Sequence, residues 1–167
     1  VPVPEWLDYN FWLGPSKYTP YTENRESNRL WWFISDYALG FIAGWGIHPI
    51  DIALWGAEDK FTGIWEIEGK GEFPQMGVCD TAMTWDVNIK LGSGTKIQFR
   101  GSPSADEWKA RYNDNSDHGT AFEGSEGWVY VRRGKIDAHP KSLLDAKIEE
   151  PLYVSNNHVD NFLDCVR

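Results

Sequence analysis

The sequence is poor in the features that mark a redox compartment, a membrane span or a nucleotide site. Its 167 residues contain only two cysteines, Cys79 and Cys165, without a CxxC pair or metal-type spacing, so we predict two buried free thiols. No apolar run comes near the ~18 residues that a transmembrane helix needs. Neither GxGxxG nor GxxxxGKS/T occurs, which excludes nucleotide binding through either loop.

Positive charge is also scarce. Lys and Arg number 16 against 25 Asp and Glu, giving a net charge of −9 and an isoelectric point near 4.8. Nucleic acids and anionic membranes bind through basic patches, so neither is a predicted partner. The segment NDNSDHG at 113–119 lacks the glycine and glutamate spacing of a calcium loop, and we predict a solvated loop. His118, His139 and His158 have no HExxH partner, so no metal site is predicted.

Tryptophan, by contrast, is abundant, with ten residues in a chain that is 41% hydrophobic and 25% charged. This composition indicates one globular domain with a sizeable core. Each tryptophan is either a flat surface for a sugar-like ligand or a filler of the core or a subunit interface, and packing is favoured for any single one. The chain begins at Val1 without a signal or transit peptide and stops at Arg167 inside a helical pattern. We therefore expect a piece of a longer protein, whose compartment (cytoplasm or bacterial periplasm) stays open.

The chain is organised around RLWWFISDYALGFIAGWGIHPIDIALWGAED, at 29–59, which combines aromatics, three glycines and a helical apolar period. The glycines of 40–46 are predicted to let the backbone approach a ligand. Proline is tolerated only in the first turn of a helix, so a helix is predicted to begin between Gly46 and Pro49. Its predicted core-facing stripe is Ile47, Ile50, Leu54 and Ala57, with His48, Asp51 and Trp55 beside it.

The remaining sequence predicts strands between an irregular N-terminal strap and a C-terminal helix. Prolines punctuate the strap at 1–28, its aromatics are expected to pin it to the body, and WLGP at 12–15 predicts a turn. Alternating patterns predict strands at 61–69, 82–91, 95–100, 121–123 and 127–132, with a polar loop at 102–119. Hairpin turns are predicted at Gly92-Ser93-Gly94, Gly124-Ser125 and Arg133-Gly134. Segment 156–167 predicts a helix capped by Asn156 or Asn157. This order predicts an α+β fold and no βαβ unit.

Four blocks in this order resemble the C-terminal domain of the Gfo/Idh/MocA family of NAD(P)-dependent oxidoreductases. They are PVPEWLDYNFWLGP, WWFISDYALGFIAGWGIHPIDIALWG, GTAFEGSEGWVYVRRG and NNHVDNFLDCVR, and together they cover most of the chain. The resemblance implies that 1–167 is one substrate-binding and oligomerisation domain. The implied fold is a large, mostly antiparallel open sheet with helices packed on one face, like the C-terminal domain of glyceraldehyde-3-phosphate dehydrogenase. The other sheet face would form the interface of a homo-oligomer.

The resemblance also implies a function. Family members oxidise sugars, cyclitols and related polyols, with NAD or NADP bound by a preceding Rossmann domain that also carries a catalytic lysine. That domain is missing from this chain, so the chain alone is expected to bind no dinucleotide and to turn nothing over. Two alternatives stay open: a non-catalytic carbohydrate-binding or scaffold domain, and lyase or glycosidase chemistry that retains its NAD.

His48 is the candidate catalytic residue. It matches the histidine of the family pattern D-x-x-x-H-x-x-D, whereas Gly44 stands where the family has its first aspartate, and Asp51 matches the second in a supporting role. At a helix start the dipole disfavours imidazolium, and a neutral imidazole accepts a proton from a substrate hydroxyl. The alternative is a histidine that caps the helix or bonds a carboxylate. The predicted substrate contacts are Trp31, Trp32, Tyr37 and Trp45 as a wall for a sugar ring, and Asp36 as a substitute carboxylate.

Overall fold

The computed structural model describes residues 1–27, 30–116, 118–148 and 153–167. The last residue of the predicted strap (Asn28), the first of the central stretch (Arg29) and Asp117 of NDNSDHG lie outside the described residues. The described helices are α1 (Tyr9–Leu13), α2 (Glu23–Glu26), α3 (Gly40–Gly44), α4 (Ile47–Gly56), α5 (Asp106–Arg111) and α6 (His158–Val166). Short 3₁₀ helices span Leu30–Phe33, Glu58–Lys60 and Lys141–Asp145. The described strands are β1 (Glu66–Glu72), β2 (Thr84–Lys90), β3 (Lys96–Arg100), β4 (Thr120–Gly124), β5 (Gly127–Arg132) and β6 (Lys135–His139).

The N-terminal strap is less irregular than predicted. The Asp8 carboxylate accepts a hydrogen bond from the Phe11 N–H at 3.0 Å and so caps α1. Gly14 closes the same helix with φ of 55°, a conformation that favours glycine. WLGP therefore contains both the end of α1, at Leu13, and the predicted turn, at Gly14-Pro15. The expected pinning is confirmed in part: Trp12, and Tyr37 of the body, pack against a buried cluster of Tyr9, Leu13 and Tyr21, whereas the strap aromatics Trp6, Phe11 and Tyr18 are exposed.

The first sheet is an antiparallel meander in the order β1-β2-β3. The predicted glycine turn at 92–94 is confirmed: Gly94 has φ of 88°, and Leu91 and Thr95 close the hairpin through a backbone hydrogen bond of 2.9 Å. β2 and β3 lie within their predicted segments. β1 begins only at Glu66, because Phe61 to Trp65 form bends instead of continuing the ladder.

The second sheet repeats this plan in the order β4-β5-β6. The predicted turn at Arg133-Gly134 is present, and the turn predicted at Gly124-Ser125 lies one residue later, at Ser125-Glu126. The predicted loop at 102–119 was wrong in one part, since it contains α5. That helix has acidic side chains in its first turn and basic ones in its last, which suits the helix dipole despite the polar sequence.

The fold class is α+β as predicted, but the single large open sheet was wrong. The described strands form two separate three-stranded sheets. Helix α4 bridges them by close packing: an added Cβ on Gly46 would lie 2.4 Å from Phe99 of β3, and one on Gly56 would lie 2.4 Å from Phe122 of β4. The Thr120 hydroxyl also donates to the Pro49 carbonyl at 2.7 Å. Glycines at both ends of the helix thus allow contact with both sheets.

These glycines also set which face of α4 points inward. The predicted stripe was wrong for two of its four members, because Ile47 is 56% exposed and Leu54 is 42% exposed. The inner side carries Ile50, Ala53 and Ala57, with Gly46 packed against Ile42 and Phe99 at its start. Packing against aromatic rings selects the side of the helix with the least volume.

The C-terminal helix begins as predicted. The Asn157 side chain accepts hydrogen bonds from the Val159 and Asp160 N–H groups at 2.9 and 3.3 Å, so it is the N-cap of α6. The apolar face of this helix is exposed, and so is Cys165, which was predicted to be buried. None of the described helices has the length and apolar character needed to cross a bilayer.

Candidate functional site at the start of helix α4

His48 is the second residue of α4, which begins directly after Gly46 as predicted. Its backbone N–H donates to the Trp45 carbonyl at 3.2 Å, closing the turn that leads from α3 into α4. The imidazole is exposed, so it is accessible to a second molecule or domain. A histidine in this position can exchange a proton with a bound hydroxyl group.

Trp45 is the centre of the site. Its ring meets the His48 imidazole edge to face, with ring centroids 5.2 Å apart, and meets His118 in the same way at 5.5 Å. The Arg133 guanidinium carbon lies 5.4 Å from the Trp45 ring centroid. One aromatic ring therefore brings together a helix start, the loop before β4 and the turn between β5 and β6.

The other predicted wall residues divide into two groups. Trp31 and Trp32 pack edge to face at 5.6 Å, and Trp32 packs on Phe41 at 5.7 Å, so this pair adjoins α3. Asp36 and Tyr37 lie against the N-terminal strap instead.

The strap contacts of these two residues are specific. The backbone carbonyl of Asp36 accepts from the Ser16 hydroxyl at 3.1 Å, and the hydroxyl of Tyr37 accepts from Arg25 at 3.4 Å. The Tyr37 ring also packs on Trp12, with centroids 4.9 Å apart. The structure thus joins Trp45 to His48 and gives Asp36 and Tyr37 contacts with the strap.

Asp51 and Gly44 bear on how His48 would work. Asp51 is exposed one turn after His48, and among the described residues its carboxylate makes no hydrogen bond or ion pair. Its predicted supporting role is therefore not built into the described structure and stays a prediction. Gly44 is exposed at the end of α3, and an added Cβ would meet only the Trp32 ring, at 3.7 Å. There is space at Gly44 for a larger residue.

A cavity of about 1060 Å³ lies on the inner side of α4, between that helix, β3, α5 and β4. It is at the upper end of ligand-site volumes, which run to about 1000 Å³. Among its walls are the aromatic side chains of Trp32, Phe41, Trp45, Trp85, Phe99 and Phe122. The buried Nε1–H of Trp85 has no acceptor among the described residues. His48, Asp51 and Trp55 are not among the lining residues and lie on the outer side of α4.

Charged pairs fix the polar end of this cavity. Asp114 is buried and forms ion pairs with Lys135 at 2.7 Å and Arg132 at 2.9 Å. Together with the Ser116 N–H, these donors hold the pKa of the Asp114 carboxyl well below its usual range, the Lys135 hydrogen bond contributing most. The prediction of a solvated loop was therefore wrong at Asp114.

Tyr112, also on the cavity wall, shows the opposite perturbation. Burial is the main cause that raises the pKa of its phenol, and a hydrogen bond of 2.6 Å to the Glu123 carboxylate adds to it. The neutral phenol is thus fixed as a donor to Glu123. This wall of the cavity serves structure rather than proton exchange.

Sequence reasoning missed two members of the Trp45 cluster. His118 was considered only as a metal ligand, and Arg133 only as part of a turn. The sequence contained one signal for Arg133, the adjacent arginines of VRRG. Successive side chains along a strand point to opposite faces, so only one of the two arginines can pair with a carboxylate on a given face. No group of three or more His, Cys, Asp and Glu side chains in the described part of the chain is arranged to hold a metal ion.

Comparison with known proteins gives one match. Residues 1–167 match the family described as "Oxidoreductase family, C-terminal alpha/beta domain", within Gfo/Idh/MocA. The chain belongs to the Gfo/Idh/MocA oxidoreductase family. No curated protein and no solved structure matches the chain. The family confirms the resemblance of the four sequence blocks, and it leaves the substrate, the cofactor and the roles of individual residues as predictions.

Proposed function

We propose that this chain is the substrate-binding C-terminal domain of an NAD- or NADP-dependent oxidoreductase acting on a sugar, cyclitol or related polyol. The observation that supports this most directly is the exposed His48 at the start of α4, packed on Trp45, in a chain of an oxidoreductase family. Aromatic rings beside a proton acceptor suit a ligand that is both hydroxylated and flat-faced. The dinucleotide and the catalytic lysine would belong to a separate domain.

The described residues do not fit a dinucleotide themselves. Nicotinamide dinucleotides bind at the end of a strand that leads into a glycine-rich turn and a helix of a parallel sheet. Here the described sheets are antiparallel. Gly46 and Gly56 lie directly against aromatic rings, so neither is open to a pyrophosphate. We therefore assign to this chain the binding of the substrate and the transfer of the substrate's hydroxyl proton. The His48 imidazole accepts the proton of the substrate hydroxyl, and the exposed outer face of α4 gives a second domain access to the reacting carbon.

A second candidate function is a non-catalytic carbohydrate-binding domain. Gly44 supports it, because the family aspartate that would accompany His48 is replaced by a residue without a side chain. In this case the Trp45 cluster would bind a sugar ring and His48 would serve as a hydrogen-bond partner. Chemistry that retains its NAD, as a lyase or glycosidase, is a variant of the first function.

The test uses the full-length protein. Purified protein is incubated with NAD⁺ or NADP⁺ and a panel of sugars, cyclitols and polyols, and reduced nicotinamide is followed by absorbance with products identified by mass spectrometry. Net oxidation that is lost in His48→Ala and kept in Lys17→Gln, a change at an exposed residue of the N-terminal strap, supports the proposal. A protein that binds sugar but converts no compound of the panel supports the second candidate function, a carbohydrate-binding domain. Elimination or hydrolysis products without net reduction of the cofactor support the variant.

Self-association through the first sheet is also part of this proposal. Every residue of β1 is exposed, including Ile67, and Met83 beside the sheet is exposed too. Exposed apolar side chains on a sheet face are typical of subunit interfaces. Sedimentation of wild type and Ile67→Lys tests it: a dimer or larger that dissociates in the variant supports this interface, and a wild-type monomer contradicts it.

A further inference from the structure

Arg133 belongs to the Trp45 cluster. It lies in the turn between β5 and β6, and its guanidinium stacks over Trp45, the same ring that contacts His48. A guanidinium that lies on an aromatic face keeps its N–H donors at the edge of its plane, where they can bind an anion in a fork geometry. Stacking therefore positions the charge without neutralising it.

The turn that carries Arg133 is held from both sides. Arg132 before it and Lys135 after it both pair with the buried carboxylate of Asp114, at 2.9 and 2.7 Å. Gly134 between them has φ of 71°, which lets the strand reverse directly after Arg133. The neighbouring cations are thus anchored to the protein, and Arg133 is the residue of the turn that is left to project toward Trp45.

Arg133 also has no partner for its charge within the described structure. Of the other described arginines, Arg100, Arg111, Arg132 and Arg167 pair with carboxylates, and Arg25 donates a hydrogen bond to the neutral Tyr37 hydroxyl. The chain has nine more acidic than basic residues, so carboxylates are plentiful. A guanidinium that lies over the same ring as His48, on an anchored turn and without an acidic partner among the described residues, fits a binding role.

We propose that Arg133 binds an anionic group of the substrate, so that the substrate class is a sugar or polyol carrying a carboxylate or a phosphate. This inference rests on the proposed function, because it identifies the substrate of the same site. Trp45 would face the carbon skeleton, Arg133 would bind the anion at one end, and His48 would meet a hydroxyl group at the other. The anion selects the substrate and fixes which hydroxyl reaches the imidazole.

The test compares matched ligands in the full-length protein. The panel contains neutral sugars, the corresponding sugar acids and the corresponding sugar phosphates, and KM and kcat are measured for each with wild type, Arg133→Gln, Arg133→Lys and Lys70→Gln. Lys70 is an exposed cation of β1 and has no contact with Trp45 among the described residues, so its variant removes the same charge outside the Trp45 cluster. Arg133→Gln is expected to raise KM for the anionic ligands ~10–100-fold, the typical worth of a charge-assisted hydrogen bond, and to leave neutral ligands within about twofold.

Each outcome decides the inference. A selective loss for anionic ligands, partly restored in Arg133→Lys and absent in Lys70→Gln, supports it, and the preferred arm of the panel separates carboxylate from phosphate. Equal effects on neutral and anionic ligands, or no effect, overturn it. If no ligand is turned over, binding is measured by calorimetry: sugar-acid or sugar-phosphate binding that is lost in Arg133→Gln supports the anion site while the proposed oxidation fails. Anion binding unchanged in that variant overturns the inference.

Discussion

The two faces of helix α4 are built in opposite ways. The inner face approaches Phe99 and Phe122 so closely that Gly46 and Gly56 have no space for a side chain, and Pro49 accepts a hydrogen bond from β4. The outer face exposes His48 and Trp55, the latter at 73%. The inner face binds the two sheets together, whereas the outer face carries the candidate chemistry. A substitution should therefore affect stability on one face and activity on the other.

The largest stability effect is expected at Gly46. In Gly46→Ala the new Cβ would lie 2.3 Å from the Ile42 carbonyl oxygen and 2.4 Å from the Phe99 ring, and backbone cannot move aside easily. We expect the free energy of unfolding, measured by chemical denaturation of the 167-residue chain, to fall by about 1–3 kcal/mol or more. Gly44→Ala is the control, because its Cβ meets only the Trp32 ring at 3.7 Å. It should change stability by at most about 1 kcal/mol, in the stabilising direction. Equal losses in both variants would contradict the packing account.

A smaller loss of stability, which a second substitution should partly restore, is expected at the other end of the helix. In Gly56→Ala the Cβ would lie 2.4 Å from the tip of the Phe122 ring, and a side chain can shift where backbone cannot. We expect a loss of about 1 kcal/mol. Phe122→Leu removes the obstructing atoms, so the double variant should be more stable than the sum of the two single changes, with a coupling of about 0.5–3 kcal/mol. Additive single effects would show that the two residues do not touch.

The inner side should also respond to acid through Asp114. Because its carboxyl pKa is lowered in the folded chain, its stabilising contribution is complete above the ordinary aspartate value of about 4 and is lost as pH falls below it. Asp114→Asn should therefore be less stable than wild type near neutral pH, and its stability should fall less steeply below pH ~4. Unfolding free energies measured from pH 6 downward test this. Asp160→Asn, on an exposed turn of α6, is the matched control, and identical acid slopes in Asp114→Asn and wild type would refute the prediction.

The smallest effects are expected on the outer face. Trp55→Gln and Leu54→Gln replace exposed apolar side chains, so the free energy of unfolding of the 167-residue chain should stay within about 0.5 kcal/mol of wild type. In the full-length protein the same changes should weaken the contact with the dinucleotide domain that we propose for this face. Losses above about 1 kcal/mol in the 167-residue chain would mean that the outer face belongs to its own core.

Local signals in the sequence were enough for the hairpins and for the start of α4. Alternation with a glycine turn defines a hairpin within about 15 residues, and Gly46 followed by Pro49 marks a helix start without reference to the rest of the chain. The inward face of α4 was predicted wrongly because it depends on Phe99 of the first sheet and Phe122 of the second, which are distant from the helix in the sequence. The size of the sheet was missed for the same reason, since the pairing of distant strands is not encoded in a local pattern.

The candidate site also combines residues that a local pattern reveals with residues that only the fold brings together. His48 was found because its surroundings in the sequence, the glycines and the helix start, are also its surroundings in space. Arg133 and His118 are separated from Trp45 by more than 70 residues in the sequence, and only the folded turn and loop bring them to that ring. The helix α5 was missed because its sequence is polar throughout, and its fit to the helix dipole is visible only once its ends are known.

The most direct test of the account measures two quantities on His48→Ala in the full-length protein: kcat for the preferred substrate and the free energy of unfolding. Removing a positioned proton acceptor is expected to lower kcat by ~10²–10⁴-fold. Since the imidazole is exposed and packs only on the edge of Trp45, the free energy of unfolding should stay within about 0.5 kcal/mol of wild type. Full activity in His48→Ala, or a loss of activity accompanied by a large loss of stability, would contradict the assignment of chemistry to the outer face of α4.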